Sequence, residues 1–597
     1  MFEKVVQNLD ASDASKDPST VPSVQGTTKA QCQDHLNKPL PYYQPPIATG
    51  YRPWSVRDPA YSQLSAVQLF LLFFQPVLDL LLSHTNIVAQ RHATLQKPWK
   101  SVTATELRYW LACRLEMMFV LGPKAKIQDF WSQKHRASLR LCCQRFKAIE
   151  RFISLNSQPE DEAMADSHAR WYWKIQYAVN AVRARFSELL VPSSRICVDE
   201  SAIKFHGRKV DAMKLAHKPA KEGFICYVLT SHGGLAHDWV MHSSQQGLEG
   251  VPQGISLNLP TRTTRKRKRG TTGATATNIN LPALKSMVYI LCERVIATWR
   301  GLQHICFVDN LFVDVNIARA LLAINIGICG TTRKNAPGIP PILLAIQHRF
   351  PELLPDNAVT SCIVDGLVNC MVWHDGLRKK WVSFVTTVHR PNQILSAFRR
   401  SKHLHGTRTT PRGFTTVFIE QPAAAVDYNT YMGPTDANNQ LRGEATIRIA
   451  RQSKRTKQFL VFLTDICQVN AYLIWKRQPQ NQRTDERERD FFLQDLITGL
   501  LYNQEDVHKP THLKTRRYCG WSGCQPRDYN RRQVLVEVRN SEKQSRPSRT
   551  TEYCETCMKV LCIGRGCWEA YHLAYGLPVR SEERRKQGEG TRCSGQL

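Results

Sequence analysis

Apolar and polar positions change rhythm along this chain. From about residue 64 to 190, apolar residues recur at helical spacing, as in Leu107-Arg108-Tyr109-Trp110-Leu111-Ala112 and Phe146-Lys147-Ala148-Ile149-Glu150-Arg151-Phe152-Ile153. Trp171 to Leu190 reads as one more amphipathic helix. The rhythm then shortens. Arg195-Ile196-Cys197-Val198 is the short apolar run that a buried strand leaves, and Phe224-Ile225-Cys226-Tyr227-Val228-Leu229-Thr230 is a second. A helix predicted from about 281 to 298 precedes a third run, Ile305-Cys306-Phe307-Val308, and Trp381 to Val388 gives a fourth. Strands alternating with helical runs predict an α/β core with helices on its faces. The most apolar stretch, Val67 to Leu82, is interrupted by Gln68, Gln75, Pro76 and Asp79, so a buried helix is expected there and no membrane association.

Shifts in composition mark the boundaries. Residues 1–60 are rich in Ser, Pro, Gln, Asp and Thr and are expected to form a disordered tail. A helical region at 61–190, an α/β core with an insertion at 191–476, a linker at 477–514, a cysteine-rich domain at 515–575 and a disordered tail at 576–597 follow. With 81 Lys+Arg against 50 Asp+Glu, the formal charge is +31, which suits a polyanionic partner. Met1 to Asp10 lacks the basic-then-apolar opening of a secretory signal. Of 19 cysteines, twelve are scattered ahead of residue 468, as in a reduced protein of the cytosol or nucleus.

Two of the apolar runs deliver a carboxylate at their end. Val198 leads into Asp199-Glu200-Ser201-Ala202-Ile203-Lys204-Phe205-His206-Gly207-Arg208, and Val308 leads into Asp309-Asn310, 110 residues further on. A strand end is a rigid mount for a metal ligand. Two such aspartates in so basic a chain point to phosphodiester chemistry with a divalent metal. One strand-end Asp taken alone is more often a turn former or a helix cap. Glu200 is set aside, because adjacent strand residues face opposite sides. For a third carboxylate, spacing leaves two candidates open: Asp375, in Trp373-His374-Asp375, and Asp436, in the stretch from Asp427 to Arg442.

These strings resemble the piggyBac family of DNA transposases. Asp199 to Arg208 is similar to the family's D-E-S-M-I-P-F-K-G-R, and Asp309-Asn310 with Gly330-Thr331-Thr332-Arg333-Lys334-Asn335 resembles D-N-F-[FY]-T-S…G-T-x-R-x-N. Asp427-Tyr428-Asn429-Thr430-Tyr431-Met432-Gly433-Pro434-Thr435-Asp436 looks like D-Y-N-x-Y-M-G-G-V-D, whose last aspartate completes the family's catalytic trio. The resemblance spans roughly residues 64 to 475 plus the cysteine-rich tail. It implies an RNase H-like core in which Asp199, Asp309 and Asp436 hold Mg²⁺ (or Mn²⁺), with the two ions stabilising the attacking and leaving oxygens. It further implies cut-and-paste chemistry at TTAA targets, double-stranded DNA as partner, a helical dimerisation and DNA-binding region, and a homodimer. A domesticated, non-catalytic DNA- or chromatin-binding descendant is the alternative. One position departs from the family's D-x-x-D-Q-L-R: Asn439 stands where the second aspartate belongs. One helical turn after Asp436, it is expected to face the same way and, being neutral, to weaken metal affinity.

The tail carries Cys519-x4-Cys524, Cys554-x2-Cys557, Cys562, Cys567 and His572, six cysteines and a histidine within 54 residues. That density predicts two tetrahedral Zn²⁺ sites more readily than scattered free thiols, with His512 and Cys593 both open as an eighth ligand. The resemblance implies a cysteine-rich domain that recognises transposon ends. Arg265, Lys266, Arg267, Lys268 and Arg269 form a run that serves nuclear import or DNA contact, or is a solvated surface. Arg442, Arg448, Arg451, Lys454, Arg455 and Lys457 follow Asp436 on a predicted helix. With Arg333 and Lys334, they are candidates for tracking phosphates. A nuclear location is expected.

Overall fold

The computed structural model describes residues 22–47, 50–94, 98–121, 126–133, 135–158, 172–205, 213–214, 222–243, 247–260, 276–401, 415–444, 455–481 and 488–502, and the backbone of strands at 510–518, 549–554 and 559–560. Contacts divide the chain into two compact units: Met1–Pro59 with Gln158–Leu473, and Ala60–Ser157 with Ile474–Leu597.

The strands of the larger unit are, in chain order, β1 (Ser55–Val56), β2 (Leu190–Val191), β3 (Arg195–Lys204), β4 (Met213–Lys214), β5 (Glu222–Ser231), β6 (Leu235–Ser243), β7 (Gly247–Leu248), β8 (Gly254–Pro260), β9 (Ala276–Pro282), β10 (His304–Val308), β11 (Ile326–Thr331), β12 (Val359–Val364), β13 (Val368–Asp375), β14 (Lys380–Thr386), β15 (Ile394–Ser401) and β16 (Thr415–Pro422). Ten of them form one mixed sheet in the order β12-β13-β14-β11-β10-β3-β5-β6-β7, with β4 on β5. β3, β10 and β11 lie side by side and run parallel, and β5 and β14 flank them antiparallel. A parallel pair needs a crossover, and the helix Val315–Ala323 supplies it between β10 and β11. Asp314 caps that helix, accepting from the Ile317 N–H at 2.9 Å.

Because successive strand residues alternate in direction, the sheet has two differently covered faces. On one, Ile196, Val198, Cys306, Val308 and Ile328 pack with the helices Ala283–Thr298, Val315–Ala323 and Pro341–His348. On the other, Ile305, Phe307, Cys329, Met371 and Trp373 pack with Ala424, Ala425, Tyr428 and Tyr431 of the helix Ala423–Tyr431. The aromatic contacts Phe224–Phe459 (5.0 Å) and Trp239–Phe462 (5.7 Å) seat the helix Arg455–Arg477. The expected α/β core with helices on its faces is present.

Two expectations drawn from composition are corrected. Residues 22–47 and 50–60 are not a disordered tail. The capping box of Thr28 and Gln31 starts the helix Lys29–Asn37, and Val24, Cys32, Tyr43, Ile47 and Trp54 are buried. The Tyr43 hydroxyl donates to the Leu367 carbonyl at 2.7 Å. A few well-spaced apolar anchors fix a segment whose average composition is polar. Likewise, the stretch expected as a linker holds the helix Glu488–Leu501, which buries Phe492, Leu493, Leu496 and Ile497.

The smaller unit is built on helices Ala66–Arg91, Ala104–Val120, Cys143–Phe152 and Glu488–Leu501. Ser65 with Gln68 and Thr103 with Glu106 close capping boxes at the first two. Glu150 accepts from the Trp110 indole at 3.0 Å and pairs with Arg114 at 2.5 Å. Ala66–Arg91 and Thr456–Arg477 are long and apolar enough to cross a bilayer, yet Leu69, Phe70, Phe73 and Phe74 of the first are fully buried. Backbone pairing also joins β17 (Pro510–Tyr518), β18 (Arg549–Cys554) and β19 (Lys559–Val560).

Candidate catalytic site

β3 and β10 are in parallel register, with Val308 beside Val198. One step further on each strand stand Asp309 and Asp199, one strand spacing of about 4.8 Å apart along the sheet. Two residues after Cys197 and two after Phe307, both carboxylates point to the face covered by the helix Ala423–Tyr431, and both are half-buried. β3 continues through Glu200 to Lys204, so Glu200 faces the opposite side, beside its register partner Tyr227. The reason for setting Glu200 aside holds.

Each aspartate is oriented by its surroundings. Asp199 accepts from the Glu200 N–H at 2.8 Å. Asp309 accepts from the Tyr428 hydroxyl at 3.1 Å and the Thr331 hydroxyl at 3.3 Å. Burial, more than any neighbouring charge, pushes the Tyr428 pKa up, and Asp309 and Asp199 push it further, so the phenol stays a donor. The helix-cap reading of Asp309 is not what forms, since Asp314 caps the following helix.

Asp436 enters from the helix Pro434–Glu444, in its first turn, where the helix dipole favours an acid. The residues around it seat that helix on the sheet. Thr435 hydrogen-bonds Thr230 (2.9 Å), and Asn438 donates to the Gly234 carbonyl (2.8 Å). Asn439 accepts from Ser201 (2.6 Å) and Arg442 (2.7 Å) and donates to the Glu200 carbonyl (3.1 Å). Asp436 itself is exposed. The buried Cys197 thiol links the three elements. It donates to the Met432 carbonyl at 3.2 Å, and its pKa is raised first by burial, then by Asp199, and less strongly by Asp436. Among the described residues, no three His, Cys, Asp or Glu side chains close into a metal-holding group. Asp199 and Asp309, on neighbouring strands, are hard oxygen donors, a chemistry that fits Mg²⁺.

Asp375 belongs elsewhere. It ends β13, three strands from β10 through β14 and β11, an offset of roughly 14 Å across the sheet, and it stands four residues further along than Met371, the β13 residue level with Asp309. There it is buried and accepts from the Arg378 N–H (3.4 Å) in its own hairpin turn. Two other expectations change. Asn439, expected to face the way Asp436 does and to bear on metal affinity, instead spends its amide on Ser201, Arg442 and the Glu200 carbonyl. Arg442, a candidate for phosphate tracking, is buried, bonds Ser201 at 2.5 Å and lies over the Phe462 ring.

Arg333 and Lys334 follow β11, the strand beside Asp309, with Lys334 exposed. Arg455 opens its helix. Arg265, Lys266, Arg267, Lys268, Arg269, Arg448, Arg451 and Lys454 lie outside the described residues. So do Cys519, Cys524, Cys557, Cys562, Cys567, His572 and Cys593. Cys554 ends β18 with Lys559 as its register partner, and His512 lies on β17. The twelve cysteines ahead of residue 468 are all free thiols. Sequence reasoning missed Tyr428 and Thr331 as partners of Asp309, although both sat inside strings already singled out.

Comparison with known proteins adds two findings. The sequence model of a family described as Transposase IS4 matches residues 65–472. The fold is similar to a chain of the cryo-EM structure of a piggyBac transposase synaptic complex with hairpin DNA, at a TM-score of 0.56 and 14% identity. That likeness covers 75% of this chain and 83% of the other.

Proposed function

The chain belongs to the piggyBac-type transposase family, and from that premise we propose that it is an active, metal-dependent DNA transposase that cuts transposon ends and joins them at TTAA targets. The observation that carries this reading is the placement of Asp199, midway along β3, beside Asp309, which follows the last residue of the adjacent parallel β10, with Tyr428 hydrogen-bonded to Asp309 and Asp436 in the first turn of its helix. Asp199, Asp309 and Asp436 would hold the ions, and Tyr428 and Thr331 would fix the Asp309 carboxylate against rotation. Mg²⁺ bound there would offset charge on the attacking and leaving oxygens. Arg333 and Lys334, beside Asp309, would grip the flanking phosphates. The same reading takes the sheet as an RNase H-like core. It also takes double-stranded DNA as the partner, a homodimer as the working form, the nucleus as its location, and the cysteine-rich tail as a zinc module.

A second reading, a non-catalytic DNA-binding descendant, is favoured by Asn439, a neutral amide where the family's pattern carries a carboxylate. An excision assay on end-containing DNA decides between them. Asp199→Ala, Asp309→Ala and Asp436→Ala should each abolish cutting in Mg²⁺ or Mn²⁺ and leave DNA binding in place, while Asp375→Ala should cut. A wild-type chain that binds DNA and never cuts, in either metal, would favour the second reading.

A further inference from the structure

The β15–β16 ribbon leaves large apolar side chains in water. Phe398 is 74% exposed and Phe418 58%, with Ile394 and Leu395 also open. Phe398 and Phe418 are register partners, their ring centroids 4.8 Å apart, so they form one aromatic pair midway along the ribbon. Four residues separate this pair from the root at Ile394 and Pro422, a reach of about 14 Å. The root adjoins the candidate site. β16 ends at Pro422, and the next residue begins the helix Ala423–Tyr431, whose Tyr428 holds Asp309.

Charge identifies the occupant. The sequence from Arg399 to Arg412 holds five Lys or Arg and no Asp or Glu. A symmetric pairing of two copies through this ribbon would set like charges against each other, whereas phosphates offset them. A two-stranded ribbon is narrow enough to enter a DNA groove. Phenylalanines inserted between base steps are a known way to unstack and kink a duplex.

We propose that the β15–β16 ribbon is a DNA prong whose Phe398–Phe418 pair wedges against the bases of double-stranded DNA next to the phosphate to be cut, opening a base step. The proposal rests on the DNA-transposase reading. It adds the element that deforms the substrate and the two side chains that do so.

The test uses the full chain in three forms: wild type, Phe398→Ala/Phe418→Ala, and Phe398→Tyr/Phe418→Tyr. Each is titrated over a salt series onto a TTAA-containing duplex carrying a fluorescent adenine analogue, and its mass is measured in solution. Wild type should brighten the analogue as the base unstacks. The alanine form should bind about 5- to 100-fold more weakly and lose the brightening. The slope of log affinity against log salt should stay the same, because no phosphate contact is removed. The tyrosine form, which keeps the rings, should behave as wild type. An alanine form that binds and brightens like wild type overturns the proposal and leaves the transposase reading standing. So does an alanine form of reduced mass, which would assign the ribbon to a second copy. A wild-type chain with no salt-dependent duplex binding overturns both.

Discussion

At position 439 an amide can do what a carboxylate cannot, because its nitrogen donates. Asn439 Nδ2 donates to the Glu200 carbonyl while Oδ1 accepts from Ser201 and Arg442, so one side chain ties its helix to β3 beside Asp199. Asn439→Asp would bring an oxygen against that carbonyl and keep only the acceptor half of the clamp. The expected outcome is a loss of about 1–3 kcal/mol of stability in thermal or denaturant unfolding. The Mg²⁺ concentration for half-maximal cleavage should not change. A clear drop in that concentration would return position 439 to the metal shell. The family pattern made the departure visible in the sequence, but its consequence depends on Ser201, Glu200 and Arg442, which only folding brings within reach.

At the scale of elements, the closeness of β10 and β11 sets where Asp309 stands. Gly330 lies opposite Val308, and a Cβ added there would meet the Val308 carbonyl oxygen at 2.5 Å. Gly330→Ala must therefore push the strands apart one residue below Asp309 and one before Thr331, which donates to it. A cost of about 1–3 kcal/mol is expected, with cleavage falling more steeply than DNA binding. Unchanged cleavage rates would show that the strand spacing tolerates the methyl. The strands themselves were legible, since Ile196-Cys197-Val198 and Ile305-Cys306-Phe307-Val308 are buried on both faces and read as unbroken apolar runs. β15 was not. Its apolar residues face water, so no burial pattern marked Ile394–Ser401 as a strand.

For the molecule as a whole, acid should be the weak side. His304 is buried at the start of β10, its Nδ1 donating to the Ser193 carbonyl at 2.8 Å, and burial lowers its pKa from 6.5 to about 4. His242 is likewise lowered to about 4, and His237 to about 3, mainly by burial. The folded state holds these rings neutral and the unfolded chain does not. Their stabilisation is thus complete above pH 6.5 and is lost as pH falls towards 4, about 3 kcal/mol for His304. Melting temperature followed against pH should fall across that window, and His304→Asn should flatten the slope. Equal slopes would mean His304 is not among the groups responsible. Zinc gives the second prediction at this scale. Chelation should unfold the region from about 515 to 575, because metal binding supplies much of a small domain's folding free energy. Metal analysis finding no zinc would end that idea.

The amino-acid sequence by itself determined the buried apolar runs, the aspartate that follows each of two of them and the basic balance of the chain, and the family-like strings singled out Asp436. These are local properties, carried by runs of a few residues whose apolarity or order persists whatever the rest of the chain does. Only the tertiary structure showed how far Asp375 stands from Asp309, since that separation lies in a strand order that puts it three strands away. It also decided that Asn439 and Arg442 are clamps, that Tyr428 orients Asp309, and that residues 22–47 belong to the core unit. Each of these depends on partners about 120 to 345 residues apart in the chain, and a contact at that separation leaves no mark on local composition or periodicity.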